Sequence, residues 1–395
     1  MNVPLLDLNP QTKKLREEIL DAVTRVIDST QYILGPEVSS LEKSVSEYCG
    51  VPHAVGVSSG TDALLISLMG LGIGPGDYVL TTPYTFFATM GSVLRVGALP
   101  VFADIEPDSM NIDPASMAEL LSKDRKNGSK IKALLPVHLF GQCADMSNIM
   151  DLAHDYGIPV IEDAAQAIGS GFPFSHEGNT AWKRAGSMGI AGCFSFFPSK
   201  NLGGIGDGGM VVTGDGQFAE KLRSLRNHGA EPKYYHSVVG GNFRLDPIQA
   251  SVLNIKIKHL DKWHKARYKN SQIYRKIFAD AGIVGDFVSL PPEKYENIEA
   301  ADMHNHHIFN QFVIRAQQRD KLREDLALNS IGCEVYYPLC LHQQECLKPY
   351  GDYSSRSFPI AEEAAKETLA LPVYPELGQS QIEYVVEVIR KFYLS

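Results

Sequence analysis

The chain has 395 residues, 44% of them hydrophobic and 21% charged, with 37 Lys and Arg against 46 Asp and Glu for a net charge of −9. That length supplies two or three domains' worth of chain and a large buried core. An acidic chain without a basic block is a poor partner for DNA or an anionic membrane surface. No apolar run approaches the roughly 20 residues that span a bilayer, so neither nucleic acid nor membrane is an expected partner.

Taken in chain order, apolar residues at helical spacing predict helices over 10–29 (Leu15, Ile19, Ala22, Val23, Val26, Ile27) and 37–48 (Val38, Leu41, Val45, Tyr48). Short apolar runs then read as buried strands at 53–57, 78–82, 100–103, 133–137, 158–162, 192–197 and 210–213. Helical stretches fall between most of them, as at 62–71, 115–121 and 146–156. Strands alternating with helices imply crossover units and a mostly parallel sheet covered on both faces. From Asp246 the character changes. Residues 246–269 read as one long helix with Ile248, Val252, Ile255 and Leu260 on its apolar side. Strands are expected at 311–314 and 333–336, and helices at 319–328 and 381–392. The expected architecture is a large α/β domain over 1–245, a connecting helix over 246–270 and a smaller α+β domain over 271–395.

The six cysteines are scattered without a CxxC pair, the usage of a reducing compartment. The opening MNVPLLDLNPQTKK lacks a basic stretch followed by an apolar one, so a cytoplasmic location is expected. Asn127-Gly128-Ser129 fits a glycosylation sequon but reads as a turn. Neither His304, His306 and His307 nor Cys340, His342 and Cys346 has the paired spacing of a structural zinc site, and no metal is expected.

Ligands of such sheets collect at the carboxyl ends of strands. After the first strand, Ser58-Ser59-Gly60-Thr61-Asp62 opens a helix, which suits either an anion nest or a plain N-cap. The second strand ends in Thr81-Thr82-Pro83-Tyr84-Thr85-Phe86-Phe87, aromatics that either cover a flat ring or pack a core. Ile158–Gln166 ends an apolar run in Glu162 and Asp163. A carboxylate at that rim is either salt-bridged or the counter-ion of a protonated heterocycle. Lys200, in SFFPSKNLGGIGDGG, lies between a buried strand and a glycine-rich turn, so it is either a surface cation or a desolvated nucleophile. Gly204, Gly206 and Gly209 spell GxGxxG, but they run into a strand rather than opening a helix, against a dinucleotide site. Phosphate nest, ring-stacking aromatic, pyridinium carboxylate and Schiff-base lysine are together what pyridoxal 5′-phosphate requires of a protein.

The chain closely resembles the DegT/StrS-type nucleotide-sugar aminotransferases of the aspartate-aminotransferase-like fold type I. The resemblance runs nearly end to end, through SSGTDAL, GPGDYVLTTPYTFFAT, PVHLFGQCADM, IPVIEDAAQA, FSFFPSKNLGGIGDGGMVVT, GNFRLDPIQA and EVYYPLCLH. It implies pyridoxal phosphate as cofactor, Lys200 as the Schiff-base lysine and Asp163 as the partner of the pyridine nitrogen. It also implies Gln166 near the ring oxygen, Phe86 stacked on the ring, and Gly60, Thr61, Asp62 and Ser195 on the phosphate side. Asn242 would reach the phosphate from the partner subunit of a homodimer with shared active sites. Arg244, Tyr336 and Tyr337 match a region lining the sugar-nucleotide pocket.

The implied reaction moves an amino group from L-glutamate, leaving 2-oxoglutarate, onto a keto carbon of a nucleotide-linked sugar. His138-Leu139-Phe140-Gly141 and Gln166 look like members acting on 3-oxo sugars. A UDP-linked 3-oxo-2-acetamido sugar for lipopolysaccharide or another surface glycan is therefore preferred over a dTDP-linked 3-oxo-6-deoxyhexose or a 4-oxo sugar. Sugar dehydratases on this scaffold carry histidine in place of the lysine, and Lys200 argues against them. A cofactor-binding regulator without turnover and an amino-acid aminotransferase are the other readings.

Overall fold

The computed structural model describes all residues except 177–178, 233, 296–304 and 395. Two helices, α1 (Asn9–Ser29) and α2 (Pro36–Cys49), precede the first strand. Proline sits in the first turn of each, and Gly50 ends α2 in the left-handed region. An alternating series follows: β1 (His53–Val57), α3 (Gly60–Gly70), β2 (Tyr78–Thr81), α4 (Phe87–Arg95), β3 (Leu99–Phe102), α5 (Pro114–Lys126), β4 (Ile131–Leu134), α6 (Met146–Tyr156) and β5 (Ile161–Asp163). A hairpin of β6 (Gly171–His176) and β7 (Asn179–Arg184) leads to β8 (Ala191–Ser195), β9 (Gly209–Thr213) and α7 (Gly216–Arg226).

The strands lie in the order β1-β9-β8-β5 and β3-β2-β4. Parallel bridges Leu134–Val160 and Val137–Asp163 join the two groups into one layer. In it β9 alone runs against its neighbours β1 and β8, while β5–β8, β2–β3 and β2–β4 are parallel. The mostly parallel sheet is as the sequence predicts. Hydrophobic clusters cover both sides, one containing Leu41, Met146 and Phe194, the other Val55, Leu64 and Leu222.

After the sheet come α8 (Pro247–Lys256) and α9 (Leu260–Ala281), then β10 (Val288–Ser289), β11 (Phe312–Ala316), α10 (Arg319–Leu328), α11 (Pro359–Glu367), β12 (Thr368–Leu371) and α12 (Gln379–Leu394). The antiparallel sheet β10-β11-β12 carries a separate core of Tyr274, Phe278, Phe312, Leu322, Ile382 and Ile389. Val3 is fully buried in that core and bridges Ile331.

Several expectations change. The single helix over 246–270 is two helices broken by the 3-10 turn Ile257–His259, and the second continues to Ala281. Ile257 and Leu260 keep right-handed helical dihedrals, so the break needs no Gly or Pro to announce it. Residues 333–336 are not a strand: Glu334 makes one isolated bridge, to Ala370. The hairpin β6–β7, the strand β12 and helices α4, α7 and α11 go beyond the sequence reading. His304 lies outside the described residues, and among those described no group of three His, Cys, Asp or Glu is placed to hold a metal ion. No helix among them is long and apolar enough to cross a membrane.

Phe278 is fully buried against Tyr274, with ring centroids 6.1 Å apart. Phe278→Ala is expected to cost about 3–5 kcal/mol by cavity formation. Chemical denaturation followed by circular dichroism should show the midpoint falling with little change in slope.

Candidate active site

A cavity of about 560 Å³ opens at the carboxyl ends of β1, β5 and β8 and is closed on the far side by residues 334–337. Nine residues singled out from sequence line it: Gly60, Thr61, Phe86, Asp163, Gln166, Ser195, Lys200, Tyr336 and Tyr337. Asp62, Asn242 and Arg244 do not line it within one chain.

One end of the cavity is a helix N-terminus. Ser59 caps α3, its Oγ accepting from the Asp62 amide at 3.0 Å. The Asp62 carboxylate in turn accepts from the hydroxyls of Ser58 (2.7 Å) and Ser59 (3.0 Å), so it orders the turn rather than facing the cavity. The first amides of a helix have no intrahelical acceptor, and the dipole favours an anion there. The chain passes so close that a Cβ on Gly60 would lie 2.6 Å from the Cβ of Ser195. No side chain fits at Gly60, so the helix start at Ser59, Gly60 and Thr61 and the Ser195 side chain line this end together as a cradle suited to an anion.

Lys200 sits in the loop that follows β8, its amide donating to the Phe197 carbonyl at 2.9 Å. The glycines that follow serve packing: a Cβ on Gly203 would meet the Pro198 carbonyl at 2.3 Å, and one on Gly204 the Gln249 side chain at 2.7 Å. The GxGxxG spacing thus serves a tight loop that aims the lysine inward. Burial lowers the Lys200 pKa to about 8, against the upward pull of the Asp163 carboxylate. Among the described residues lining the cavity, Lys200 is the only Lys or Arg.

Asp163 ends β5 and is 5% exposed. Burial pushes its carboxyl pKa up, opposed by hydrogen bonds from the Thr89 hydroxyl (2.7 Å) and the Ala165 amide (3.2 Å) and by the charge of Lys200. A carboxylate so placed is stabilised by a further cation in front of it, and a protonated ring nitrogen supplies one. Gln166 is buried, its Oε1 accepting from the Phe140 amide at 2.8 Å and its Nε2 donating to the Tyr337 hydroxyl at 3.3 Å. Phe86, 58% exposed at the N-cap of α4, stands at the mouth with its ring 6.2 Å from that of Tyr337. Phosphate cradle, nucleophilic amine, buried carboxylate and aromatic cover therefore fit pyridoxal phosphate.

Asn242 and Arg244 lie alongside the carboxyl end of β1, at the sheet's edge. Asn242 bridges Asn227 and Arg244 bridges Val57, while the Arg244 guanidinium donates to Asn227 Oδ1 at 2.8 Å. The sequence reading passed over Thr89 in the first turn of α4, whose contact with Asp163 spans 74 positions and has no local mark. It also passed over the role of Tyr84, whose hydroxyl donates to the Tyr336 carbonyl (2.6 Å) and accepts from the Tyr337 amide (3.2 Å), pinning the far wall. No local pattern points to that contact.

The neutral amine is the reactive form, so a lowered pKa raises Lys200 reactivity at neutral pH. Reductive methylation of cofactor-free protein, read by peptide mass spectrometry, should show Lys200 labelling rise with a midpoint near pH 8. Asp163→Asn removes the charge that raises the pKa, so the midpoint should move below 8.

The sequence matches the DegT/DnrJ/EryC1/StrS aminotransferase family over residues 13–390. It is 46% identical over 393 residues to a pleiotropic regulatory protein of Geobacillus stearothermophilus, covering 100% of this chain and 99% of that one. It is 40% identical over 391 residues to the UDP-N-acetyl-3-dehydro-α-D-glucosamine 3-aminotransferase of Acidithiobacillus ferrooxidans, covering 98% and 97%. The crystal structure of S. venezuelae DesV in complex with a ketimine intermediate superimposes with a TM-score of 0.87 at 37% identity, covering 100% and 99%.

Proposed function

The chain belongs to the DegT/DnrJ/EryC1/StrS aminotransferase family, and from that membership and the cavity we propose that it transfers an amino group from L-glutamate to the keto carbon of a nucleotide-linked sugar. Its cofactor is pyridoxal 5′-phosphate. The preferred acceptor is a UDP-linked 3-oxo-2-acetamido sugar, on a route to lipopolysaccharide or another surface glycan in the cytoplasm. The observation that carries the reading is one cavity holding a lysine with its pKa lowered to about 8 and a buried carboxylate together with the N-terminus of α3. The relative acting on a UDP-N-acetyl-3-dehydro sugar supports the choice of acceptor.

When bound, pyridoxal phosphate supplies an electrophilic aldehyde and a protonated ring that takes up the electrons of a cleaved C–H bond. The residues of this chain do the rest. Lys200 would hold the aldehyde carbon, and the Gly60, Thr61 and Ser195 cradle the phosphate. Asp163 would hold a proton on the ring nitrogen, and Thr89 keeps that carboxylate aimed. Once displaced by an amino donor, the Lys200 amine moves a proton at Nζ, and a pKa of about 8 suits it to act as base and acid near neutrality. Phe86 and Tyr337 would flank the bound ring at the mouth of the cavity.

An absorbance spectrum tests this reading. The purified protein should show a visible band that fades on adding excess L-glutamate and returns when the right 3-oxo sugar nucleotide follows. Return with a dTDP-linked or 4-oxo sugar instead would move the acceptor assignment. The regulatory relative favours a second reading, a cofactor-binding regulator without turnover. A visible band that glutamate leaves unchanged would support that one, and absence of any band after adding pyridoxal phosphate would sink both.

The functional unit proposed is a homodimer with shared sites. Glutamate, the sugar-linked diphosphate and the cofactor phosphate are all anions, yet one chain lines its cavity with a single described Lys or Arg. Asn242 and Arg244 of the partner subunit would complete the site. Exposed Phe86, Phe87, Phe197 and Ile205 offer an apolar surface for the contact. Mixing inactive Lys200→Ala and Arg244→Ala subunits under exchange conditions should then restore about a quarter of wild-type activity, because half of the dimers regain one of two sites. Sites confined to one chain would give no restoration.

A further inference from the structure

Glu162 adjoins Asp163 on β5 but belongs to the other side of the strand, and it has no relative exposure. Its carboxylate collects four donors. The amides of Met188 (2.7 Å) and Gly189 (2.6 Å) reach Oε1, while the Gly186 amide (2.7 Å) and His138 Nε2 (2.8 Å) reach Oε2. The loop is shaped for this. A Cβ on Gly189 would lie 2.4 Å from the Val160 carbonyl, and Gly186 has φ +86°. His138 is also fully buried, and its Nδ1 accepts from the Ala144 amide at 3.1 Å. A ring nitrogen that accepts carries no proton, so His138 is the neutral tautomer with its proton on Nε2, pointed at Glu162.

The backbone of His138 leads to the site. Its amide donates to the Asp163 carbonyl at 3.0 Å, and the Asp163 amide donates to the Pro136 carbonyl at 2.9 Å. Two residues on, the Phe140 amide holds Gln166. The segment that fixes Asp163 and Gln166 is thus itself anchored through the His138 ring to Glu162. A buried carboxylate with all four donors in place is rigid, whereas losing one leaves an unmet acceptor that the surroundings shift to satisfy.

We propose that His138 and Glu162 form a positioning pair for pyridoxal phosphate, setting through the 136–140 segment the place of Asp163 at the ring nitrogen and of Gln166 beside it. Neither residue touches the cavity, and the assignment rests on the cofactor reading above. Cofactor affinity and the pH midpoint of the visible band report the ring environment without turnover.

His138→Leu removes the donor, while His138→Gln keeps an N–H within reach of Glu162. Expected for His138→Leu, at a temperature where circular dichroism shows it folded, are about tenfold weaker pyridoxal phosphate binding and a displaced band midpoint. His138→Gln should lie within about twofold of wild type, since the charge-assisted bond is kept. Equal affinity and midpoint in His138→Leu and wild type would overturn the pair. Should His138→Leu not fold, His138→Asn, whose shorter amide falls short of Glu162, replaces it. His138→Asn matching His138→Gln would then overturn the proposal, and weaker binding would uphold it. A wild-type protein that binds no pyridoxal phosphate refutes the cofactor reading instead.

Discussion

A carboxylate at the buried end of a sheet strand must be compensated, and the architecture around Asp163 follows from that requirement. β5 and β8 run parallel with Asp163 level with Cys193, so the loop leaving β8 passes in front of the carboxylate and delivers Lys200 into the same cavity. Charge and burial then oppose each other: desolvation weakens the protonated amine, the carboxylate strengthens it, and desolvation wins. The outcome is an amine poised near neutrality rather than a permanent ion pair. Hydrogen bonds from Thr89 and Ala165 keep the carboxylate in place without neutralising it, which leaves its charge available to a ring nitrogen.

The two faces of β5 divide the labour. Asp163 looks into the cavity, while Glu162 looks into the scaffold and is saturated by amides and a neutral imidazole. Adjacent acidic residues on a strand point to opposite sides, so the sequence Glu-Asp places one charge in each environment. What distinguishes them is the number of fixed donors: Glu162 has four from protein, and Asp163 has two together with an open side.

Legibility in sequence tracked locality. Lys200 and Asp163 were readable because each follows a short apolar run in a chain that alternates with helices, a pattern that fixes which end of the sheet they occupy. α6 was readable to its ends, since Asp145 caps it and Gly157 closes it. The break between α8 and α9 was not, because its dihedrals stay helical. Residues 333–336 carry the β-branched and aromatic composition of a strand, but pairing is settled by partners distant in sequence, and of these four only Glu334 pairs, with Ala370. Thr89, Tyr84 and the His138–Glu162 contact depend on tertiary approach, so residue type alone could not reveal them. The family resemblance added Asn242 and Arg244, which one chain holds at the edge of β1, outside the cavity lining.

The single bridge between Glu334 and Ala370 has a consequence for how the cavity is walled. At the phosphate end, the crossing of Gly60 and Ser195 admits no added side chain. The opposite wall, 334–337, is hung on one backbone pairing and the Tyr84 hydroxyl rather than woven into a ladder. Along that wall Glu334 and Tyr336 can change without violating strand alternation, whereas Val335 is buried in the smaller core and Tyr337 holds Gln166. The tight and the loosely hung sides of the cavity are thus joined through the Gln166–Tyr337 bond, and the side chains at 334 and 336 can be varied with the lysine and its carboxylate left in place.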